Sequence, residues 1–377
     1  MIPELLSPAG DEESLSAAIR YGADAVYLGA KSFGMRAGAA NFQEDELAGA
    51  VNRCHAAGVK LYLTCNTLPR EDETRALPDF IRGAGDSGAD ALIIADIGVF
   101  ALAKRLCPDL PVHVSTQLGV VNHLTATELY NMGAERVVLA RELTLPEIAE
   151  IRAKTPAPLM LEAFAHGAMC VSVSGRCVLS NYMAGRDANR GACAQPCRWR
   201  YALMEQERPG QYYPVFEEDG YTYTFNANDL CMIEHLDLLK DAGVGSLKLE
   251  GRAKSAYYVA SVTWAYRRAL DILKASPDAY RLPAQVLAEV DKISHRPYST
   301  GFYLPGEPPD QDRIRGGYSR SYDLVATVEG REGEFLIVTG RNRFFAGEEL
   351  EALRPDGDPV AFVPEEIHDP EGELITV

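Results

Sequence analysis

Five cysteines fall between residues 170 and 231 of this 377-residue chain, spaced Cys170-x6-Cys177-x15-Cys193-x3-Cys197 with Cys231 beyond. Thiolates are soft donors that suit iron–sulfur clusters and zinc better than hard cations. Zinc fingers set cysteines two to four apart in pairs, and bacterial ferredoxins separate theirs by two or three residues. Only Cys193-x3-Cys197 is that close, with neither a second such pair nor a compact run of four, so the residues alone leave iron–sulfur and zinc both open. Cys54, Cys65 and Cys107 complete the eight and sit in apolar periodic segments, where they read as small buried hydrophobes. Eight cysteines in so long a chain do not make a disulfide scaffold.

Other groups that could do chemistry stand close by. Glu162 and His166 precede Cys170, and a carboxylate beside an imidazole suits acid–base work or the support of a metal site. Pairing of Glu162 with a barrel arginine or lysine would explain the carboxylate as well. Lys248-Leu249-Glu250-Gly251-Arg252 sets two cations around an anion, where Arg252 could grip an anionic substrate, unless Glu250 pairs internally with Arg252 or Lys248. Asn66 offers an amide. Arg176, Arg190 and Gln117 are candidates for holding a cofactor or co-substrate. With Arg186, Arg198 and Arg200, the first two also form a local basic patch in a chain of formal charge −17, which would repel nucleic acid elsewhere.

Positioning these groups requires a scaffold, and its repeat is legible. Short β-rich runs alternate with amphipathic helical stretches: Glu4–Ser7, Ala23–Leu28, Val59–Thr64, Ala91–Ala95, Val112–Thr116, Arg136–Ala140, Pro158–Ala163 and Gly245–Leu249. Glycines such as Gly22, Gly88, Gly133 and Gly243 punctuate the helix ends, as αβ turns require. Eight such units predict an α/β fold, a closed (β/α)8 TIM-like barrel over residues 1–295, in preference to an open doubly wound sheet, since no Gly-x-Gly-x-x-Gly opens a first helix. Barrel sites form at strand C-termini, where Ser7, Asn66, Asp96, Ser115, Gln117, Arg141, Glu142, Glu162, His166, Lys248, Glu250 and Arg252 are expected to converge.

The periodicity fails over 167–228, a cysteine-rich insertion after strand seven and therefore on the ligand-binding face. A proline- and glycine-rich connector, 296–320, leads to short strands with Gly/Asp turns over 321–377, a small C-terminal all-β domain of barrel-like or sandwich shape with a turn at Pro355-Asp356-Gly357. No stretch approaches the length of a membrane span and no signal-peptide pattern opens the chain, so a cytoplasmic protein without membrane contact is expected.

The segment from Glu162 through His166, Cys170, Arg176 and Cys177 to Ser180 resembles peptidase family U32, the collagenase-like peptidases. So do Gly185–Arg198, Lys248–Arg252, Leu5–Gly10 and Ala25–Gly29, so that nearly the whole chain is covered. Some members of that family are described as proteases. Others hold a [4Fe–4S] cluster and hydroxylate tRNA uridine, rRNA cytidine or a quinone precursor without oxygen, with prephenate implicated as donor. Asp187-Ala188-Asn189-Arg190 and the single small terminal domain look most like the RNA-modifying side. The resemblance implies Cys170, Cys177 and Cys193 as cluster ligands, with Cys231 or Cys197 fourth. It also implies tRNA as substrate, prephenate as the small anionic co-substrate, and a homologous protein as a possible partner. A peptidase would need a nucleophile or hydrolytic metal, and neither His-Glu-x-x-His nor Gly-x-Ser-x-Gly occurs.

Overall fold

The computed structural model describes residues 1–35, 39–170, 172–173, 176–177, 179–198, 203–204, 212–213, 216–218, 221–223, 228–304, 319 and 321–375. Seven parallel strands run in sequence around a ring: β1 (Glu4–Pro8), β2 (Ala25–Gly29), β3 (Lys60–Cys65), β4 (Ala91–Ile94), β5 (Val112–Val114), β6 (Arg136–Val138) and β7 (Met160–Gly167). Next in the chain, β8 (Asp229–Cys231) lies outside the ring and runs antiparallel to the end of β7, with Leu230 opposite Gly167 and Cys231 opposite His166. The eighth barrel strand, β9 (Ser246–Leu249), pairs in parallel with both β1 and β7 and closes the barrel.

All eight expected strands form, and their residues explain why. Runs such as Ala25–Gly29 are buried along their full length, as parallel strands covered by helices must be. Helices between them start on side-chain caps: Asp11 accepts from the Ser14 amide at 2.7 Å, and Thr144 and Glu147 form a capping box. Gly22 and Gly133, read as αβ-turn residues, adopt φ of +95° and +103°. Outside the ring, strands and helices share one large apolar core, whereas a smaller cluster of Leu6, Ala25, Tyr27, Tyr62, Ala91 and Ile93 packs separately. The long helix Ala256–Ala275 carries Tyr258, Trp264 and Tyr266 against the barrel, each 5% exposed or less.

One boundary differs in a way that matters. Strand seven, expected to stop at Ala163, continues to Gly167. Glu162 is therefore mid-strand, and His166 takes the place at the mouth.

Beyond the barrel, the described residues of the final domain pair as three two-stranded antiparallel ribbons, not one closed barrel: Ala326–Glu332 with Phe335–Gly340, Leu350–Ala352 with Val360–Phe362, and Ile367–His368 with Leu374–Ile375. Strands of two or three residues are too short to wrap a common core. Trp264 Nε1 donates to the Gly357 carbonyl at 3.2 Å, Tyr21 to Leu353 at 3.0 Å, and Lys292 pairs with Glu351, which ties this domain to the barrel helices.

Candidate functional site

The lower barrel interior is ionic. Arg136, the first residue of β6, donates to Glu4 and to Glu162 at 2.7 Å each, and Lys248 donates to the other oxygen of Glu162 at 3.0 Å. Ser246 and Tyr62 complete the network, and Arg136, Glu162 and Lys248 are all 5% exposed or less. Burial alone would raise the pKa of Glu162, but Lys248 and Arg136 more than offset it and the net shift is downward. Glu162 is thus an ionised, fully paired carboxylate below the mouth. The expected pairing of Glu250 with Lys248 or Arg252 gives way to another: Lys248 belongs to Glu162, and Glu250 meets Arg141 at 3.4 Å.

At the mouth, His166 is 1% exposed, with the rings of Tyr258, Tyr266 and Tyr298 around it. Its Nδ1 lies 3.4 Å from the Tyr266 hydroxyl, and its Nε2 has no hydrogen-bond partner among the described residues. Burial drives its pKa down to about 3 against the pull of Asp229, so the imidazole is neutral at physiological pH. Arg252 donates Nη1 to Thr64 at 2.7 Å and Nη2 to Asn41 at 3.1 Å. It passes so close to Gly29 that a Cβ there would lie 2.7 Å from Nη1, which explains a glycine at the end of β2. Asn66 does not reach into the mouth with its oxygen: Oδ1 accepts from the Met35 amide at 3.2 Å and fixes the loop after β2. Asp96 and Ser115, also expected at strand ends, cap the turns that follow them. Gln117 accepts from Arg176 Nε at its backbone carbonyl, 2.6 Å away, while its buried side-chain Oε1 has no partner among the described residues.

The insertion brings the thiols to the same face. None of the eight cysteines is in a disulfide. Cys170 and Cys193 are exposed, and backbone amides of Ser172 and Gln195 donate to their sulfurs at 3.4 and 3.3 Å. The Cys177 backbone is clasped by both amide atoms of Asn189 at 3.1 Å. Cys197 and Cys231 are half-buried. Burial pushes the Cys231 thiol up to about 12, against donors from Ile233 and Tyr266. Cys54 and Cys65 are buried within the apolar core, as expected of them. The donor set, several free thiols in one loop with amides aimed at two sulfurs, fits a thiolate-ligated metal group chemically. Among the described residues, no three or more His, Cys, Asp or Glu side chains gather into a ready metal cage.

The arginines are less free than the sequence suggests. Arg190 pairs with Glu73, and Arg70, from the loop after β3, pairs with Asp187 at 3.4 Å, so the Asp187–Arg190 segment is fastened to that loop. Arg176 and Arg186 are exposed, whereas the side chains of Arg198 and Arg200, like Ser174 and Gly175, lie outside the described residues.

Sequence reasoning missed the Asp229–Arg296 pair. Arg296 donates Nε and Nη2 to one carboxylate oxygen at 2.9 and 2.6 Å, its amide meets the other at 3.1 Å, and Nη2 also reaches the Met169 carbonyl at 3.4 Å. This buried pair ties the residue before Cys170 to the strand that ends in Cys231. The only signal was an arginine opening an otherwise proline-rich connector.

A closed parallel barrel with its polar groups and a thiol-rich loop gathered on the C-terminal face defines a barrel protein of the kind whose sites are built from βα loops. The chain belongs to peptidase family U32: the family model matches residues 10–313, and that of the family's C-terminal domain matches 320–377. It is 37% identical over 374 residues to tRNA hydroxylation protein P1 of Bacillus subtilis, covering 98% of this chain and 88% of that one. To tRNA hydroxylation protein P of Escherichia coli it is 34% identical over 417 residues, covering 100% and 91%. A Methanocaldococcus jannaschii protein named as an uncharacterized protease is 44% identical over 336 residues, covering 88% and 78%. Among the described residues, no helix is long and apolar enough to cross a membrane.

Proposed function

We propose that this chain is an iron–sulfur-dependent RNA hydroxylase that works without molecular oxygen, forming 5-hydroxyuridine in tRNA with prephenate as hydroxyl donor. The observation that carries the reading is the similarity to two tRNA hydroxylation proteins along nearly the entire chain. Cys170, Cys177 and Cys193 would hold a [4Fe–4S] cluster with Cys231 fourth, a choice supported by the register of Cys231 with His166, four residues before Cys170. Such a cluster supplies electrons or Lewis acidity when bound. Arg252, held at the mouth by the neutral groups of Thr64 and Asn41, is the cation assigned to the prephenate carboxylates. His166 stays neutral beside them, and the tyrosines around it exclude water.

Charge distribution sets the approach of the RNA. Residues 321–377 contain 14 Asp and Glu against four Arg and no Lys, so the final domain repels phosphates. Arg176 and Arg186 on the insertion present the favourable side.

Anaerobically purified protein is expected to carry about four irons per chain and to convert unmodified tRNA to its hydroxylated form only when prephenate is added. Stoichiometric zinc without iron, or cleavage of gelatin by the metal-replete protein with no hydroxylated nucleoside, would replace this reading with the peptidase one.

A further inference from the structure

Beside the mouth, a cavity of about 320 Å³ opens between the loops that follow β2 and β3, lined among others by Lys31, Phe33, Gly34, Thr67, Glu73 and Arg190. Phe33 has φ of +59°, a left-handed conformation that is strained for a bulky side chain and persists only where the surroundings enforce it. Here they do. The amides of Asn66 and Thr67 both donate to the Phe33 carbonyl, at 3.0 and 3.2 Å, and Phe80 meets its ring edge-on at 5.1 Å. Arg190 reaches the cavity from the cysteine insertion, ion-paired with Glu73, with its buried Nε unmatched by any acceptor. The following residue, Gly191, packs against the Gly34 carbonyl so closely that a Cβ would lie 2.9 Å from it. Gly34 in turn borders Arg252, whose Nη2 would be 3.3 Å from a Cβ there. Gly34 is therefore a wall shared by the cavity, the insertion and the mouth.

We infer that this cavity is a subsite for one unstacked nucleotide of the RNA, adjacent to the nucleotide that reacts at the mouth. The inference rests on the RNA reading above and names where the neighbouring nucleotide goes. Its size is at the small end of ligand pockets, suited to a single nucleoside. Phe33 supplies an aromatic surface for the base, Thr67 a hydroxyl for its edge, and the exposed Lys31 a partner for the phosphate.

Phe33→Leu keeps apolar bulk and removes the aromatic face, and Lys31→Ala removes one cation from an exposed position. Both are to be compared with wild type for KM toward tRNA and toward prephenate, for the salt dependence of tRNA binding, and for melting temperature as a folding check. Phe33→Leu should raise the tRNA KM about tenfold without moving the prephenate KM. Lys31→Ala should reduce the slope of log affinity against log salt by about one. An effect confined to the prephenate KM would give the cavity to the co-substrate. Unchanged tRNA KM and slope in both variants, with wild type still modifying tRNA, would overturn the subsite and leave the RNA reading standing. Failure of wild type to bind or modify tRNA would remove both. Should Phe33→Leu not fold, the Lys31 slope alone decides.

Discussion

Along strand β7, Glu162 and His166 stand four residues apart in opposite circumstances. Around Glu162, Arg136 and Lys248 meet both carboxylate oxygens at 2.7 and 3.0 Å and Arg136 also pairs with Glu4 at 2.7 Å, leaving Arg136 Nε without a partner among the described residues. At His166, Nε2 has no partner among the described residues, and Gln117, in the turn after β5, buries a side-chain oxygen in the same state. Buried polar groups are ordinarily satisfied, and each that is not asks for an explanation, of which a ligand or a reaction is one. The Glu162 carboxylate is committed to the fold, whereas one nitrogen of the His166 imidazole is not.

That contrast breaks most readily at Arg136. Arg136→Met leaves the Glu162 and Glu4 carboxylates facing only Lys248 in a dry interior, and should cost about 3–5 kcal/mol in equilibrium unfolding. A loss near zero would mean that the network is not what holds the lower barrel.

Acid titration sharpens the same point. The folded-state pKa of Glu162 lies below its ordinary value of 4.5, so its stabilising contribution is complete above that pH and is lost as pH falls through the depressed value. Unfolding free energy measured below pH 4.5 should fall more steeply in wild type than in Glu162→Gln, which lacks the titrating group. Parallel curves would contradict the assignment.

The smallest effect on stability belongs to the mouth. Gln117→Leu exchanges an unsatisfied buried amide oxygen for apolar atoms of similar shape, and leaves the backbone carbonyl that Arg176 uses. Melting temperature should hold or rise slightly, because the cost of a buried unpaired oxygen disappears. Hydroxylated product should nevertheless fall by about tenfold or more, since that oxygen is one of the few groups at the mouth left to meet a ligand. Full activity in this variant would place the reaction elsewhere.

The sequence made the barrel legible because eight units repeat the same alternation and the same glycine punctuation, and the thiol loop legible because the alternation stops there. Depth within the barrel was not legible. Ending strand seven at Ala163 placed Glu162 at the mouth; the true end at Gly167 sinks it into the ionic layer and brings His166 up. A shift of four residues along a strand moves a side chain by more than 10 Å at about 3.3 Å per residue, from one layer to another. Pairing of Glu162 with a barrel arginine or lysine was foreseen and holds, but which ones could not be read, because Arg136 and Lys248 reach it across 26 and 86 residues of chain through barrel closure. The Asp229–Arg296 pair was hidden for the same reason.

The central claim, that the mouth and its thiol loop carry out RNA hydroxylation, is tested most directly in cells of the source organism. Nucleosides from tRNA of a deletion strain are compared by mass spectrometry with those of the same strain complemented by wild type or by Cys193→Ala. The account predicts that 5-hydroxyuridine or its derivatives disappear on deletion, return with wild type and stay absent with Cys193→Ala. Unchanged tRNA nucleosides in the deletion strain, or full restoration by Cys193→Ala, would contradict it.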